Sequence, residues 1–295
     1  MKLSSLERKF SVTSFPGMSV FRLTVIKTRV LAEWAAKFLL SLPDRRKALS
    51  FIRKMRGAKG QHAALVVGNG PSVAKLNWEK IAELKKSGLE LFVVNYFLLS
   101  DTYEICRPDY LVLSDPKTTP NYPDPRNSEL WSKIRSDQEL KLVVPISWYK
   151  SIRLDEAVAN RALFFDDGGL EGWTRNISPT KARGYIALTA YKALAISVYF
   201  GYKRTYVIGI DNSMFRNIAV SEQNELIEKP NHFFSQGGIV RNVSNQYPNG
   251  IADYFNDMAL CFFSLRHCFR NKGIVNLDME SLVDCFEKKT QIEID

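Results

Sequence analysis

The chain has little of what metal and disulfide proteins are built from. Its 295 residues include four cysteines, Cys106, Cys261, Cys268 and Cys285, scattered and with no C-x-x-C pair. Cys261 and Cys268 lie one heptad apart on an expected helix and read as apolar packing residues, which fits a reducing compartment. The histidines are His62, His232 and His267, none at ligand spacing to a cysteine pair, so no zinc site is expected. No uncharged apolar run is long enough to span a bilayer. The basic residues near the N-terminus are spread along the chain rather than followed by an apolar core and cleavage site, so the start does not read as a signal peptide. Three phosphate or nucleophile signatures are also missing. There is no G-x-x-x-x-G-K-[ST] stretch, which argues against a P-loop NTPase. Gly68-Asn69-Gly70-Pro71-Ser72-Val73 lacks the third glycine of the dinucleotide fingerprint. No G-x-S-x-G elbow occurs.

What is present is unevenly distributed. The net charge is +10, yet residues 1–60 hold 14 Lys/Arg against 3 Asp/Glu, leaving 27 basic and 28 acidic residues for the rest. The excess is confined to an N-terminal arm. Residues 19–40 pattern as an amphipathic helix that Pro43-Asp44 is expected to end, and a second basic segment runs from Arg45 to Arg56 with Leu49, Phe51 and Ile52 interleaved. A basic arm carrying Trp and Phe suits an anionic membrane surface through residues 19–60; the alternative is a helix pair packed on the body with a solvated basic face. Nucleic acid is not expected as a partner, because the body has no basic excess to continue the arm.

From residue 63 short apolar runs alternate with helical stretches. Strands are expected at 63–68, 91–95, 110–114, 142–146, 163–165, 205–210 and 274–277. They are rich in Val, Ile, Leu and Phe without polar alternation, as strands covered on both faces are. Helices are expected near 78–86, 129–136, 184–200 and 252–270, with Gly201 as the C-terminal stop of the third. The alternation implies an α/β fold with a doubly wound, mostly parallel, Rossmann-like sheet. The expected organisation is a helical arm over 1–60 and one catalytic domain over 61–295. Residues 212–250, polar and poor in apolar side chains, read as a lid rooted at a strand's carboxyl end.

The stretch that organises this pattern is Leu65 to Ser72. A buried strand stops at Gly68-Asn69-Gly70-Pro71-Ser72, where Gly68 and Gly70 let backbone approach a ligand and Ser72 can cap the next helix. A strand-to-helix turn with no ligand is the equal alternative. Asn69, Asn95, Ser114-Asp115 and Asp211-Asn212 all fall at strand carboxyl ends, which converge on one crevice in such sheets. His232, in the lid, has the pKa range of a general base.

Val67-Gly68-Asn69-Gly70-Pro71-Ser72 resembles the nucleotide-binding turn of the bacterial sialyltransferases of glycosyltransferase family 42 and of the wider group that includes motility accessory factor and DUF115 proteins. Ser114-Asp115-Pro116, the block from Ala193 through Gly201-Tyr202-Lys203 to Gly209-Ile210-Asp211, and Val275-Asn276-Leu277 to Ser281-Leu282 come after it in the same order. The resemblance spans about residues 63–285. It implies a GT-A-like variant of the Rossmann fold and an inverting, metal-independent transfer of a sialic-acid-like sugar from its CMP form to a glycan or lipid-linked acceptor, with no cofactor beyond that donor. It implies that Asn69 and Asn95 bind the nucleotide and its phosphate region. Asp115 then lies near the ribose and donor sugar, Thr189 contacts the donor, Ser281 lies near the cytosine, and His232 deprotonates the acceptor. Where the family has a tyrosine pair after Gly-Ile-Asp, this chain has Asn212-Ser213-Met214-Phe215-Arg216. Asn212, Ser213 or Arg216 is then left to stabilise the leaving phosphate. The expected location is cytoplasmic, peripheral on the inner face of the cytoplasmic membrane, with a homo-oligomer possible. Two alternatives belong to other classes: a pterin pyrophosphokinase-like Mg-ATP enzyme, for which Asp115, Asp211 and Asp166-Asp167 are the candidate carboxylates, and a non-enzymatic membrane-associated nucleotide-binding protein.

Overall fold

A computed structural model describes residues 20–229, 240–247 and 249–294. Its centre is an eight-stranded, wholly parallel sheet. The strands are β1 (Ala63–Val67), β2 (Leu89–Val94), β3 (Tyr110–Val112), β4 (Lys141–Pro145), β5 (Ala162–Phe165), β6 (Arg204–Ile208), β10 (Ile274–Asn276) and β11 (Glu287–Lys288), in the order β11-β10-β6-β1-β2-β3-β4-β5. Successive side chains of a strand point to opposite faces, and every residue of β1 is buried. Both faces of the sheet centre are therefore covered, as the run Ala-Ala-Leu-Val-Val requires. The doubly wound expectation holds. The chain moves outward from β1 to β5, then returns with β6 on the other side of β1. The reversal between β1 and β6 is the switch point at which such sheets open a crevice.

The helices that matter for the site are α1 (Val20–Ala48), α2 (Ser50–Lys54), α3 (Trp78–Lys86), α4 (Thr102–Ile105), α5 (Pro125–Ser136), α6 (Tyr149–Arg153), α7 (Glu156–Ala159), α8 (Thr189–Phe200) and α9 (Ile251–Ser264). The apolar α8 crosses β1, β2, β3 and β6. It ends as expected at Gly201, which takes φ +81 and presses on Gly57, leaving no space for a side chain. It starts later than expected, at Thr189 rather than 184. Gly184 packs directly on the Thr174 backbone, its N–H bonds Asn176 O (2.9 Å), and Ile186 N–H bonds Ser264 Oγ (3.2 Å). Those bonds hold 184–188 out of the helix.

The N-terminal arm departs from expectation at one point and follows the packed alternative at another. Pro43 does not end its helix; α1 runs through it to Ala48. Proline removes one backbone N–H there, and Leu39, whose carbonyl loses that donor, is an exposed residue. The later arm residues are part of the body. Ala48, Leu49 and Ile52 are buried, and α1 and α2 pack on the edge strand β5. Covering that edge blocks strand addition from another chain.

Two segments between elements were unforeseen in form. Residues 166–188, from β5 to α8, have no regular element but a built interior: Arg183 donates to Asp167 O (3.0 Å) and Glu171 Oε1 (2.8 Å), and Arg45 of α1 pairs with the buried Asp166. The expected lid is a small antiparallel sheet among its described residues, β7 (Ile218–Val220), β8 (Leu226–Glu228) and β9 (Arg241–Asn242), in the order β7-β8-β9. Among the described residues no helix is long and apolar enough to cross a membrane.

Candidate functional site

The turns after β1 and β6 meet at the switch point and are clamped together. Gly68 N–H bonds Ile208 O (2.8 Å) and Gly70 N–H bonds Gly209 O (3.0 Å). Gly68 and Gly209 touch so closely that a side chain on either would overlap the other's backbone, and Gly209 also takes φ +74. Ser72 and Asp211 lock the contact. Ser72 N–H donates to Asp211 Oδ2 (3.0 Å), the Ser72 hydroxyl to Asp211 Oδ1, and Gly209 N–H to Ser72 Oγ (3.0 Å). Burial pushes the Asp211 carboxyl up, while the bonds from Ser72 pull it down less strongly. Ser72 and Asp211 thus fasten the two turns, and Asp211 also lines the cleft beside them.

Beside this fastening opens a cleft of about 280 Å³. One wall is Asn69 and Gly70 after β1 with Asn95 after β2; another is the start of α8, from Leu188 to Tyr191; the third is Gly209 to Met214. The lid contributes Glu228 from β8 and Arg241 from β9, directly paired across the small sheet. The cleft therefore lies between the carboxyl edge of the parallel sheet and the lid.

Three features give the cleft its chemistry. First, the side-chain carbonyl oxygens of Asn69 and Asn95 are buried with no hydrogen-bond partner in the protein. Such groups are costly to leave unmet, at roughly 1–3 kcal/mol each. Second, Asn95 and Asn212 take φ +53 and +49. This left-handed backbone is uncommon outside glycine and is tolerated best by Asn. Third, the start of α8 brings first-turn amides and the positive end of a helix dipole to the wall, an arrangement that favours anions.

The remaining candidates divide by position. Thr189 lines the cleft and its hydroxyl meets Ser114 Oγ at 2.7 Å, so Ser114 supports the wall from behind. Asn212 is buried and its amide is held by the Tyr191 hydroxyl (Nδ2 to OH, 3.0 Å), which tethers the turn to α8. Ser213 lines this cleft and an adjoining hollow of about 180 Å³, where Arg216, Lys75 and Ser281 also lie. Ser281 caps its own turn, accepting from Val283 N–H (3.2 Å). In the same hollow Lys75 bridges Asp278 (3.1 Å) and Glu280 (2.5 Å), which raise its pKa. Asp115 is exposed and outside the cleft lining; its carboxylate accepts from Lys117 N–H (2.9 Å) as the cap of a short turn. His232 lies outside the described residues. The carboxylates Asp115, Asp211 and Asp166 do not converge, and among the described residues no group of His, Cys, Asp and Glu is arranged to hold a metal.

Sequence reasoning missed Glu228, Arg241 and Tyr191. Glu228 is half-buried, and burial raises its carboxyl pKa against the opposing pull of Arg241. The register of three-residue lid strands has no sequence signature. Tyr191 did leave a trace, as a polar-tipped aromatic in the first turn of an otherwise apolar helix.

No protein-family model matches the chain. No curated protein matches it closely enough to count as a relative. Among solved structures it is similar to that of a MAf glycosyltransferase from Magnetospirillum magneticum AMB-1, with a TM-score of 0.45 and 9% identity over 84% of this chain. The match covers 38% of that protein.

Proposed function

We propose that this protein is a glycosyltransferase that takes an acidic, nonulosonate-type sugar from its CMP form and transfers it, with inversion, to a hydroxyl of a glycan or lipid-linked acceptor. The observation that carries this reading is the pair of unpartnered amides, Asn69 and Asn95, at the ends of adjacent central strands beside the N-terminus of α8. The sequence resemblance around Gly68 to Ser72 and Gly201 to Asp211 supplies the ligand class.

In this reading the nucleotide lies along the β1 and β2 turns. Its amino, carbonyl or hydroxyl groups meet Asn69 and Asn95, and its phosphate lies toward the α8 amides and the Thr189 hydroxyl. The acceptor hydroxyl attacks the anomeric carbon as the bond from that carbon to the phosphate oxygen breaks, and CMP leaves. The phosphate gains charge at that moment, and groups fixed in advance stabilise it best. Asn212 is committed to Tyr191, so Ser213 and Arg216 are the residues of the Asn212–Arg216 segment left for this role. The acceptor proton goes to the lid. His232 is the base that the resemblance implies, and Glu228 is the carboxylate lining the cleft from β8, with a pKa shifted toward the range useful for a base.

A thermal-shift series with CMP, CDP, UDP and ATP, each with and without Mg²⁺, tests the reading. Cytidine nucleotides are expected to raise Tm without metal. Stabilisation by ATP only with Mg²⁺ would favour the pyrophosphokinase alternative, and no response to any nucleotide would favour a non-enzymatic protein.

A further inference from the structure

The arm turns one face to the body and leaves the other uncovered. The inner face of α1 is anchored at several points. Trp34 lies over Gly168 so closely that a side chain there would meet its ring. The rings of Trp34 and Phe38 pack with centroids 5.4 Å apart, Arg45 sits over Phe38 at 4.7 Å and pairs with Asp166, and Ala48 is buried. At 3.6 residues per turn the opposite side of the helix carries Leu39 and Leu40 with Arg46 and Lys47, while the exposed Leu31 and Leu42 lie on its flank. Leu39 is 62% exposed and Leu40 83%, and Phe51 of α2 is 51% exposed with Lys54 over its ring.

We infer that this outer face of α1 and α2 docks on an anionic membrane surface. The apolar side chains alone would equally suit a second copy of the chain. Charge decides between them: residues 28–60 carry nine Lys/Arg, and with Arg29 paired to Glu33, Arg45 to Asp166 and Lys59 to Glu90 six remain against Asp44, whereas residues 61–295 are balanced, with 27 basic and 28 acidic. A second copy offers no matching acidic excess; a leaflet rich in anionic lipid does. Leucines and a phenylalanine on the outer surface with Lys and Arg beside them is the pattern of a helix lying in the interface plane, its apolar side chains among acyl chains and its basic groups at the headgroups. The inner contacts to Asp166 and Gly168 fix the arm to the segment that follows β5. None of this depends on what the cleft binds.

Co-sedimentation of the full chain with vesicles of phosphatidylcholine alone, and of phosphatidylcholine with an equal part of phosphatidylglycerol, tests it. Binding to the mixed vesicles only, weakened by salt, is expected. The double variant Leu39→Ser, Leu40→Ser should bind about tenfold more weakly or less, and Arg46→Gln with Lys47→Gln should do likewise, with unchanged Tm because these side chains are exposed. Failure of the wild-type chain to sediment with mixed vesicles, or equal sedimentation by all variants, would overturn the inference. So would light scattering that shows a wild-type dimer converted to monomer by the leucine variant, which would make the face a contact between copies.

Discussion

Asn69 shows how a single side chain separates binding from folding. Its carbonyl oxygen has no partner in the protein, so the folded state carries a desolvation cost that a truncated side chain would not. Asn69→Ala should therefore leave Tm unchanged or raise it, while lowering CMP affinity by about tenfold or more as the ligand loses an amide contact. Calorimetric titration beside a thermal melt reads both. A fall in Tm with unchanged affinity would make Asn69 a structural turn residue. The residue types at the strand ends were legible in the sequence, because asparagines and glycines after apolar runs stand out. Their division of labour was not: that Ser72 and Asp211 fasten two turns while Asn69 and Asn95 stay unpartnered depends on contacts between positions 139 residues apart.

Among the elements, α8 combines the site wall with the interior. Its end was readable from Gly201, but its start was not, because the non-helical path of 184–188 is imposed by Thr174, Asn176 and Ser264 rather than by local propensity. Next to the cleft wall it buries Lys192, only 7% exposed, with its ammonium 5.7 Å from the Phe165 ring. Burial, and secondly Arg183, push its pKa down to about 7; Asp167 and Glu171 pull the other way, and Lys37 of α1 adds to the fall. The unfolded chain holds this proton up to its ordinary value of 10.5, whereas the folded chain gives it up near 7. The unfolded state thus binds more protons across that window, and stability rises with pH through it. Lys192→Met should stabilise the fold by about 3 kcal/mol below pH 7, with the gain shrinking toward pH 10. Denaturation melts of both chains across that pH range check the sign; a pH-independent difference would show that Lys192 is charged in the folded protein.

For the whole molecule, hydropathy placed the parallel, doubly wound sheet correctly, since buried strands differ in composition from the segments between them, but not the order of its strands, which rests on long-range pairing. The same signals left the arm open between a membrane-facing segment and a helix pair packed on the body, because basic composition does not reveal which few apolar side chains are inserted into a core. Leu49 and Ile52 are fully buried, and removing either from a core typically costs about 2–5 kcal/mol. A chain that begins at Gln61 should therefore lose about 5 kcal/mol or more, a large share of a typical domain's stability. Chemical denaturation should show its midpoint far below that of the full chain, and equal midpoints would return the arm to the status of an appendage.

The fastening of β1 to β6 has a consequence in time. Gly68 and Ser72 emerge from the ribosome long before Gly209 and Asp211, with the strands β2 to β6 and all of α8 in between. A nascent chain halted anywhere before Arg204 carries one half of a clasp and a central strand with an open side. The pocket is a late event of synthesis, and no ligand of the cleft can assist the folding of the half that is made first.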